Sequence, residues 1–298
     1  MKFFDYGEVI TRDTEFVVFG IPWDEFTSIE IASSAPAPNK LREVSQHLAL
    51  GTELGMEIPN FKVVDIGNVT IIPENASKNL EAIQHFVDAI YAEKEDIILI
   101  VMGGDHFCSY PVIKSVGARK AAKNDFGVLV FDAHLDFYEE YDNTIYSHAA
   151  VSHRIYDLDF IGSHNLLIAG TRDVDIPEMK LAQKENLAYL NAHEAFLNLR
   201  EYINNIISFF KTSKINQLYI SIDIDALDPS TAPGTGYAIP GGFSYRELWT
   251  ILKNISEEFQ ITGFDVVEVS PNLDLPNHIT VNLAAKLITE LISFISPK

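Results

Sequence analysis

Carboxylates and imidazoles recur in three short segments of this chain at spacings that suit divalent-cation binding. In Asp132-Ala133-His134-Leu135-Asp136, which follows the apolar run 127–131, the polar residues stand at i, i+2 and i+4. Extended backbone points such positions to one side, with Ala133 and Leu135 on the other. Three ionisable groups converging on one face repel one another and lose hydration, and a metal cation is the economical compensation. Ser221-Ile222-Asp223-Ile224-Asp225 repeats the pattern, with two carboxylates two residues apart in a run, 218–224, that otherwise wants burial. Gly103-Gly104-Asp105-His106 follows a third apolar run, 97–102. Its glycines allow a sharp turn without a Cβ clash and present His106 at a strand tip. On its own that histidine would read as structural. Asp228, followed by Pro229, reads as a turn former rather than a ligand.

The donor set is then four carboxylates (Asp132, Asp136, Asp223, Asp225) and two imidazoles (His106, His134), with no thiolate. Such a set suits a hard or borderline ion in high coordination, Mn²⁺ ahead of a structural Zn²⁺. Six donors are too many for one catalytic ion with an open position. They fit two ions bridged by carboxylates, and four aspartates balance the charge of two divalent cations. Two ions about 3.5–4 Å apart lower the pKa of a shared water and make hydroxide available near neutral pH. The expected chemistry is metal-dependent hydrolysis.

Strands must position these segments. Candidate strands are 16–20, 63–66, 97–102, 127–131, 166–169, 218–224 and 263–269. Several are continuous β-branched or aliphatic runs rather than alternating ones, as strands buried on both faces of a parallel sheet require. Leu80, Ile83, Phe86, Val87 and Ile90 form one helical stripe, and Val281, Ala284, Leu287, Ile288, Leu291 and Ile295 form another. Ser244, with Glu247 three residues on, reads as a capping box. The alternation predicts a three-layer α/β/α architecture with a mainly parallel central sheet, spanning 1–298 as one domain. No repeat, low-complexity tract or long linker interrupts it. In such sheets ligands bind beyond the carboxyl ends of the strands, where all three polar segments fall.

The 298 residues are 47% hydrophobic, enough for a sizeable core, and carry a net charge of −20. That charge repels nucleic-acid phosphates and anionic lipid, so neither is an expected partner, and it would attract cationic small molecules. No apolar run approaches the roughly 18–20 residues of a membrane span. Met1-Lys2-Phe3-Phe4-Asp5 meets an acid too early for a signal peptide. The single cysteine, Cys108, allows no internal disulfide. The expectation is a cytoplasmic protein.

With its segments in this order, the chain resembles the ureohydrolase family, which includes arginases and agmatinases, and resembles agmatinases most. The resemblance rests on Gly103-Gly104-Asp105-His106, on Asp132-Ala133-His134-Leu135-Asp136, on the run 221–236 from Ser-Ile-Asp-Ile-Asp to Pro-Gly-Thr-Gly, and on Val266-Val267-Glu268-Val269-Ser270-Pro271. Weaker echoes at Gly20-Ile21-Pro22-Trp23-Asp24 and Ala37-Pro38-Asn39-Lys40-Leu41-Arg42 stretch it over nearly the whole chain. It implies an arginase-like fold and two Mn²⁺ per chain. One ion would be held by His106, Asp132, Asp136 and Asp223, the other by Asp132, His134, Asp223 and Asp225, with Asp132 and Asp223 bridging. It implies that Glu268 grips the substrate guanidinium and that His148, in Tyr146-Ser147-His148-Ala149, passes a proton to the leaving amine. His153 lies close enough in sequence to be mistaken for that shuttle. Asp136 joins these two as catalytic. The implied reaction is attack of a metal-bridging hydroxide on the guanidinium carbon, releasing urea and an amine. A guanidinium is a poor electrophile with delocalised charge, so a strong nucleophile and a fixed carboxylate partner are both sensible. A homo-oligomer, trimer or hexamer, is implied in the same way.

The segment between the second motif and His148 bears on the substrate. Arginase-like sequences carry small hydroxyl and amide residues there, for an amino acid's carboxylate; this chain has Glu139, Glu140 and Asp142. Those acids would repel a carboxylate and favour a free ammonium tail, with Glu139 as a substrate contact. Agmatine is therefore the expected substrate. Aminopropylagmatine, arginine, guanidinobutyrate and formiminoglutamate are the alternatives within the family, and a single-zinc deacetylase or a silent binding homologue lies further off. The chain departs from the family in Tyr237-Ala238-Ile239 after Gly236, in Phe107 after the histidine and in Ala149 after His148. None of these removes a metal ligand; Tyr237 and Ile239 bear on recognition of the tail.

Overall fold

Among the described residues, eight strands form one sheet in which every neighbouring pair is parallel. In chain order they are β1 (Phe16–Gly20), β2 (Val63–Asn68), β3 (Ile98–Met102), β4 (Phe126–Phe131), β5 (Leu166–Thr171), β6 (Ala188–Asn191), β7 (Gln217–Asp223) and β8 (Gln260–Val267). Across the sheet they run β2-β1-β3-β8-β7-β4-β5-β6. The computed structural model describes residues 1–25, 32–121 and 124–296. Among these, the helices are α1 (Ala37–Ser45), α2 (Ala76–Glu93), α3 (Ser109–Lys120), α4 (Val151–Tyr156), α5 (Ile176–Glu185), α6 (Ala192–Leu197), α7 (Leu199–Thr212), α8 (Tyr245–Glu258) and α9 (Ile279–Ile295).

The two-residue alternation of a strand sorts its side chains between two cores. Phe16, Val18, Ile100, Met102, Leu129, Phe131, Ile220 and Ile222 pack with α1, α7, α8 and α9 on one face. Val17, Phe19, Leu99, Val101, Val128, Val130 and Ile168 pack with α2, α3, α4 and α5 on the other. Burial on both faces explains why these strands read as unbroken apolar runs. Each such side chain taken fully out of water contributes about 1.5–3 kcal/mol, so the central strands make a stiff platform for whatever follows their carboxyl ends.

All seven expected strands form, with ends displaced by three residues at most. The eighth, β6, carries no such run: its four residues are all half-buried at the sheet edge, paired only with β5. The predicted capping box opens α8, where Ser244 Oγ accepts the Glu247 N–H at 3.2 Å and Glu247 Oε2 accepts the Ser244 N–H at 2.7 Å. No helix among the described residues is long and apolar enough to cross a membrane.

Candidate metal centre and substrate cavity

Four central neighbours, β3, β8, β7 and β4, carry the polar segments at their carboxyl ends. Phe131 of β4 pairs with Ile222 of β7, which sets Asp132 beside Asp223. The segments are not extended there, contrary to expectation: β4 stops at Phe131 and β7 at Asp223. Each becomes a turn closed by its own aspartate. Asp132 Oδ1 accepts the His134 N–H at 2.7 Å, and Asp223 Oδ1 accepts the Asp225 N–H at 2.8 Å. An aspartate side chain that captures the amide two residues on imitates a backbone turn. Asp225 then lies in a short 3-10 turn, Ile224–Ala226, and its Oδ1 accepts the Ala133 N–H at 3.0 Å, tying the two turns together. Asp136 has left-handed backbone, φ 49°. Matching turns, rather than strand alternation, bring the donors together.

The glycines before His106 avoid a Cβ clash, as expected, and do so by close packing rather than by unusual backbone angles. Neither Gly103 nor Gly104 is left-handed; both are needed for close approach. A Cβ on Gly104 would lie 2.0 Å from the Trp23 carbonyl oxygen, and one on Gly103 would lie 2.6 Å from Val267 Cγ1. His106 is thereby pressed into the sheet end and is fully buried.

Its Nδ1 faces three carboxylates: Asp132 Oδ2 at 3.0 Å, Asp136 Oδ2 at 3.2 Å and Asp223 Oδ2 at 3.3 Å. His134 Nδ1 faces two, Asp225 Oδ2 at 3.1 Å and Asp132 Oδ1 at 3.4 Å. Asp132 thus turns one oxygen to each histidine. Two donor groups result, His106 with Asp132 and Asp136, and Asp132 with His134 and Asp225, each compact enough to hold a metal ion. Asp223 approaches the first group through Oδ2, while its Oδ1 is engaged in its own turn.

The electrostatics fit cations. His106 Nδ1 and Asp132 Oδ2 are buried and lack a hydrogen-bond partner despite their proximity. Burial raises the Asp223 carboxyl well above the usual range, with Asp225 and Asp132 adding to it. Burial and the Asp132 charge push Asp136 up to about 8. Asp132 goes the other way: burial opposes its charge, but the two histidines outweigh it and hold the carboxyl low. A buried cluster whose acids cannot all ionise together lacks positive charge, and divalent ions supply it.

Glu268 follows β8 with left-handed backbone, φ 59°. Its N–H donates to Gly104 O at 2.8 Å, and its Oε1 accepts the His106 N–H at 2.8 Å. Burial, then the Asp225 and Asp132 charges, push its carboxyl up to about 7. Non-glycine residues held in this backbone region concentrate where surrounding structure over-determines a functional geometry.

A cavity of about 350 Å³ opens over these groups, lined by His134, Asp136, Asp223, Asp225, Glu268, His148, Tyr138, Tyr141, Asp173, Asp175, Glu178 and Tyr237 among others. His148 stands in its wall, 6.3 Å between ring centres from Tyr141. His153 is outside it, buried against Phe137 at 4.9 Å between ring centres, so the two histidines are separated by fold rather than by sequence. Tyr237 lines the rim with its ring 5.9 Å from that of His134, whereas Ile239 contributes a carbonyl to Arg172, at 2.9 Å from Nε.

The expected tail acids do not reach the cavity. Glu139, Glu140 and Asp142 are exposed and absent from its lining, because Tyr138 turns inward and the next residues leave the surface in a tight loop closed by Tyr141 and Thr144. The acids at the rim are instead Asp173, Asp175 and Glu178, from the β5–α5 connection. Tyr138 OH donates to Asp175 Oδ2 at 2.6 Å. Glu178 accepts the Phe137 N–H at 2.8 Å, and burial pushes it up to about 7. In sequence, Arg172-Asp173-Val174-Asp175 just beyond the strand expected at 166–169 is the available signal. Arg172 also escapes sequence reasoning; its Nη2 donates to the Asp225 and Leu227 carbonyls at 2.6 and 3.2 Å and braces the turn behind that ligand position.

Comparison with known proteins bears on this arrangement. The model of the Arginase family matches residues 14–293. The agmatinase of Bacillus subtilis (strain 168) is 30% identical over 283 residues, covering 94% of this chain and 92% of that protein. An N(1)-aminopropylagmatine ureohydrolase of Thermus thermophilus is 35% identical over 177 residues, covering 58% of this chain and 55% of that protein. The crystal structure of the agmatine ureohydrolase of Thermoplasma volcanium superposes with a TM-score of 0.83 at 26% identity, covering 97% of this chain and 92% of that one.

Proposed function

The chain belongs to the arginase family, and from that premise we propose that it hydrolyses the guanidino group of agmatine, giving putrescine and urea, with two Mn²⁺ per chain. The observation that carries the two-ion reading is Asp132, whose two oxygens face two different histidines. His106, Asp132, Asp136 and Asp223 would hold one ion, and Asp132, His134, Asp223 and Asp225 the other. When bound, two such ions lower the pKa of a shared water and so supply hydroxide near neutral pH.

The chain's own groups do the rest. Glu268 has Oε1 occupied by the His106 N–H, which leaves Oε2 for the guanidinium N–H groups. The ionised carboxylate fixes the substrate by charge-assisted hydrogen bonds. Asp136 and Asp223 line the cavity, and the guanidinium carbon would lie above them. His148, in the wall, donates a proton to the departing amine nitrogen, as an imidazole can do at neutral pH.

Substrate choice rests on charge. No lysine or arginine side chain lines the cavity among the described residues, while Asp173, Asp175 and Glu178 do. An α-carboxylate would meet the acids Asp173, Asp175 and Glu178 with no lysine or arginine to offset them, whereas an ammonium tail would be held. The same acids favour, as a second reading, the longer polycation aminopropylagmatine, on which a relative is named as acting. Homo-oligomerisation is part of the proposal by family likeness. The test is urea release with added Mn²⁺ from agmatine, aminopropylagmatine, arginine and guanidinobutyrate. Agmatine should exceed arginine by at least about tenfold in kcat/KM, the worth of one well-placed charge contact; equal or reversed rates would sink the substrate assignment.

A further inference from the structure

His106 has a second ring nitrogen, and what lies behind it is built from residues the hydrolytic reading does not use. Nε2 is 3.1 Å from Ser221 Oγ. Ser221 Oγ donates to Asp265 Oδ1 at 2.6 Å, and Tyr219 OH donates to Asp265 Oδ2 at 2.9 Å. Asp265 sits in β8 with no exposure, on the sheet face that carries Val267 and Tyr219, and no lysine or arginine among the described residues pairs with it. An acid in that position costs stability, and a well-packed apolar residue of similar volume would serve the fold at least as well. Its place behind a candidate metal ligand gives it a different use.

The hydrogen-bond directions fix the imidazole. A serine hydroxyl has one proton. Ser109 Oγ also lies 3.3 Å from Ser221 Oγ, but the bond to the carboxylate is shorter and charge-assisted, so Ser221 spends its proton there. Ser221 can then only accept from His106. Nε2 must carry a hydrogen, so the nitrogen that would give up its proton to a cation is Nδ1, the one facing Asp132, Asp136 and Asp223. With a cation in place of that proton, the Nδ1 lone pair and the carboxylates would all turn toward the ion. His134 has nothing equivalent among the described residues: its Nε2 is 4.0 Å from the exposed Asp173, and the ring is 21% exposed at the cavity wall.

We propose that Asp265, acting through Ser221, is a positioning residue that fixes the tautomer and ring orientation of His106 and so sets the affinity of the inner metal position. This rests on the two-ion reading above. Metal-binding histidines held by such an outer partner lose about 10–100-fold in metal affinity when the partner is removed.

The experiment is Mn²⁺ titration of the metal-depleted full chain, with bound and free ion separated by equilibrium dialysis and followed by electron paramagnetic resonance. The variants are Ser221→Ala, Ser221→Thr, Asp265→Asn and Asp265→Ala, with thermal melts of the metal-free proteins alongside. The expected result is that Ser221→Ala and Asp265→Ala weaken one of two bound ions by about 10–100-fold and leave the other unchanged. Ser221→Thr, which keeps the hydroxyl, should restore the affinity. If Asp265→Ala fails to fold, Asp265→Asn and Ser221→Ala decide the matter. Unchanged affinity at both positions overturns the proposal, as does equal weakening of both with a lowered melting temperature, which marks a structural role. Wild-type protein that binds no Mn²⁺ overturns the two-ion reading itself, and this proposal with it.

Discussion

The floor and the rim of the cavity are built by different means. At the floor, His106, Asp132, Asp223 and Glu268 stand at the carboxyl ends of the four central strands, and each is tied to or paired with a neighbouring strand or its end. Their geometry comes from the sheet ends and the short turns built directly on them. At the rim, Tyr138, Tyr141, Asp173, Asp175 and Tyr237 come from connecting loops, and their positions depend on one another, as in the bond from Tyr138 to Asp175. Stiff strand ends suit a reaction that tolerates little misplacement. Loops suit the discrimination of tails, since they accept substitution without disturbing the sheet. On the proposed function, chemistry and specificity are therefore separable in this molecule, and the separation can be tested.

The largest effect should come from Asp132→Ala, which removes the carboxylate facing both histidines. Urea release from agmatine should fall by at least about 10³-fold, with Mn²⁺ content reduced at both positions by metal analysis. Full Mn²⁺ content would break the floor's assignment. Next, Glu268→Gln should leave metal content intact and lower kcat/KM by roughly 10²-fold, because it removes the charged partner of the guanidinium from a buried setting. Full activity in that variant would move the substrate elsewhere.

At the rim the effects should be smaller and confined to binding. Asp175→Asn should raise the KM for agmatine by about threefold, leave kcat nearly unchanged, and lose its effect at high salt, as expected for an exposed charge. Glu139→Gln should change neither constant, since that residue is exposed outside the lining. A larger effect for Glu139 than for Asp175 would reverse the assignment of the rim.

Glu178 sharpens the comparison through stability. Its carboxyl is pushed from an ordinary 4.5 up to about 7 by burial. Between those values the folded chain keeps a proton that the unfolded chain has lost, so stability falls as pH rises through about 7. In metal-free protein, Glu178→Gln should flatten this dependence and raise the melting temperature at pH 8 by a few degrees. An unchanged pH profile would show that Glu178 is ionised in the fold.

The legible part of the sequence is the part with a strong local cause. Unbroken apolar runs announce seven strands, and the edge strand β6 stays hidden because Ala188-Tyr189-Leu190-Asn191 needs burial on neither face in full. The six candidate donors are readable because their residue types have few other uses at the end of an apolar strand, and the structure brings all six together. Asp265 is as visible as Asp223, an acid in an apolar run, yet it lacks a second donor two residues away and so gives no signal of a site. The acids at 139, 140 and 142 mislead because proximity to a motif along the chain says nothing about which way a loop folds.

By itself, the sequence determined the donor types, their order and the strands that carry them. Apolar runs and turn-forming aspartates act on their immediate neighbours, so their consequences are local. The tertiary structure decided which oxygen faces which histidine, which of His148 and His153 reaches the cavity, and that Asp173 and Asp175 replace Glu139 at the rim. The reason is the strand order: β8 and β7, late in the chain, insert between β3 and β4, and only that insertion brings Ser221 and Asp265 behind His106 and sets Asp223 beside Asp132.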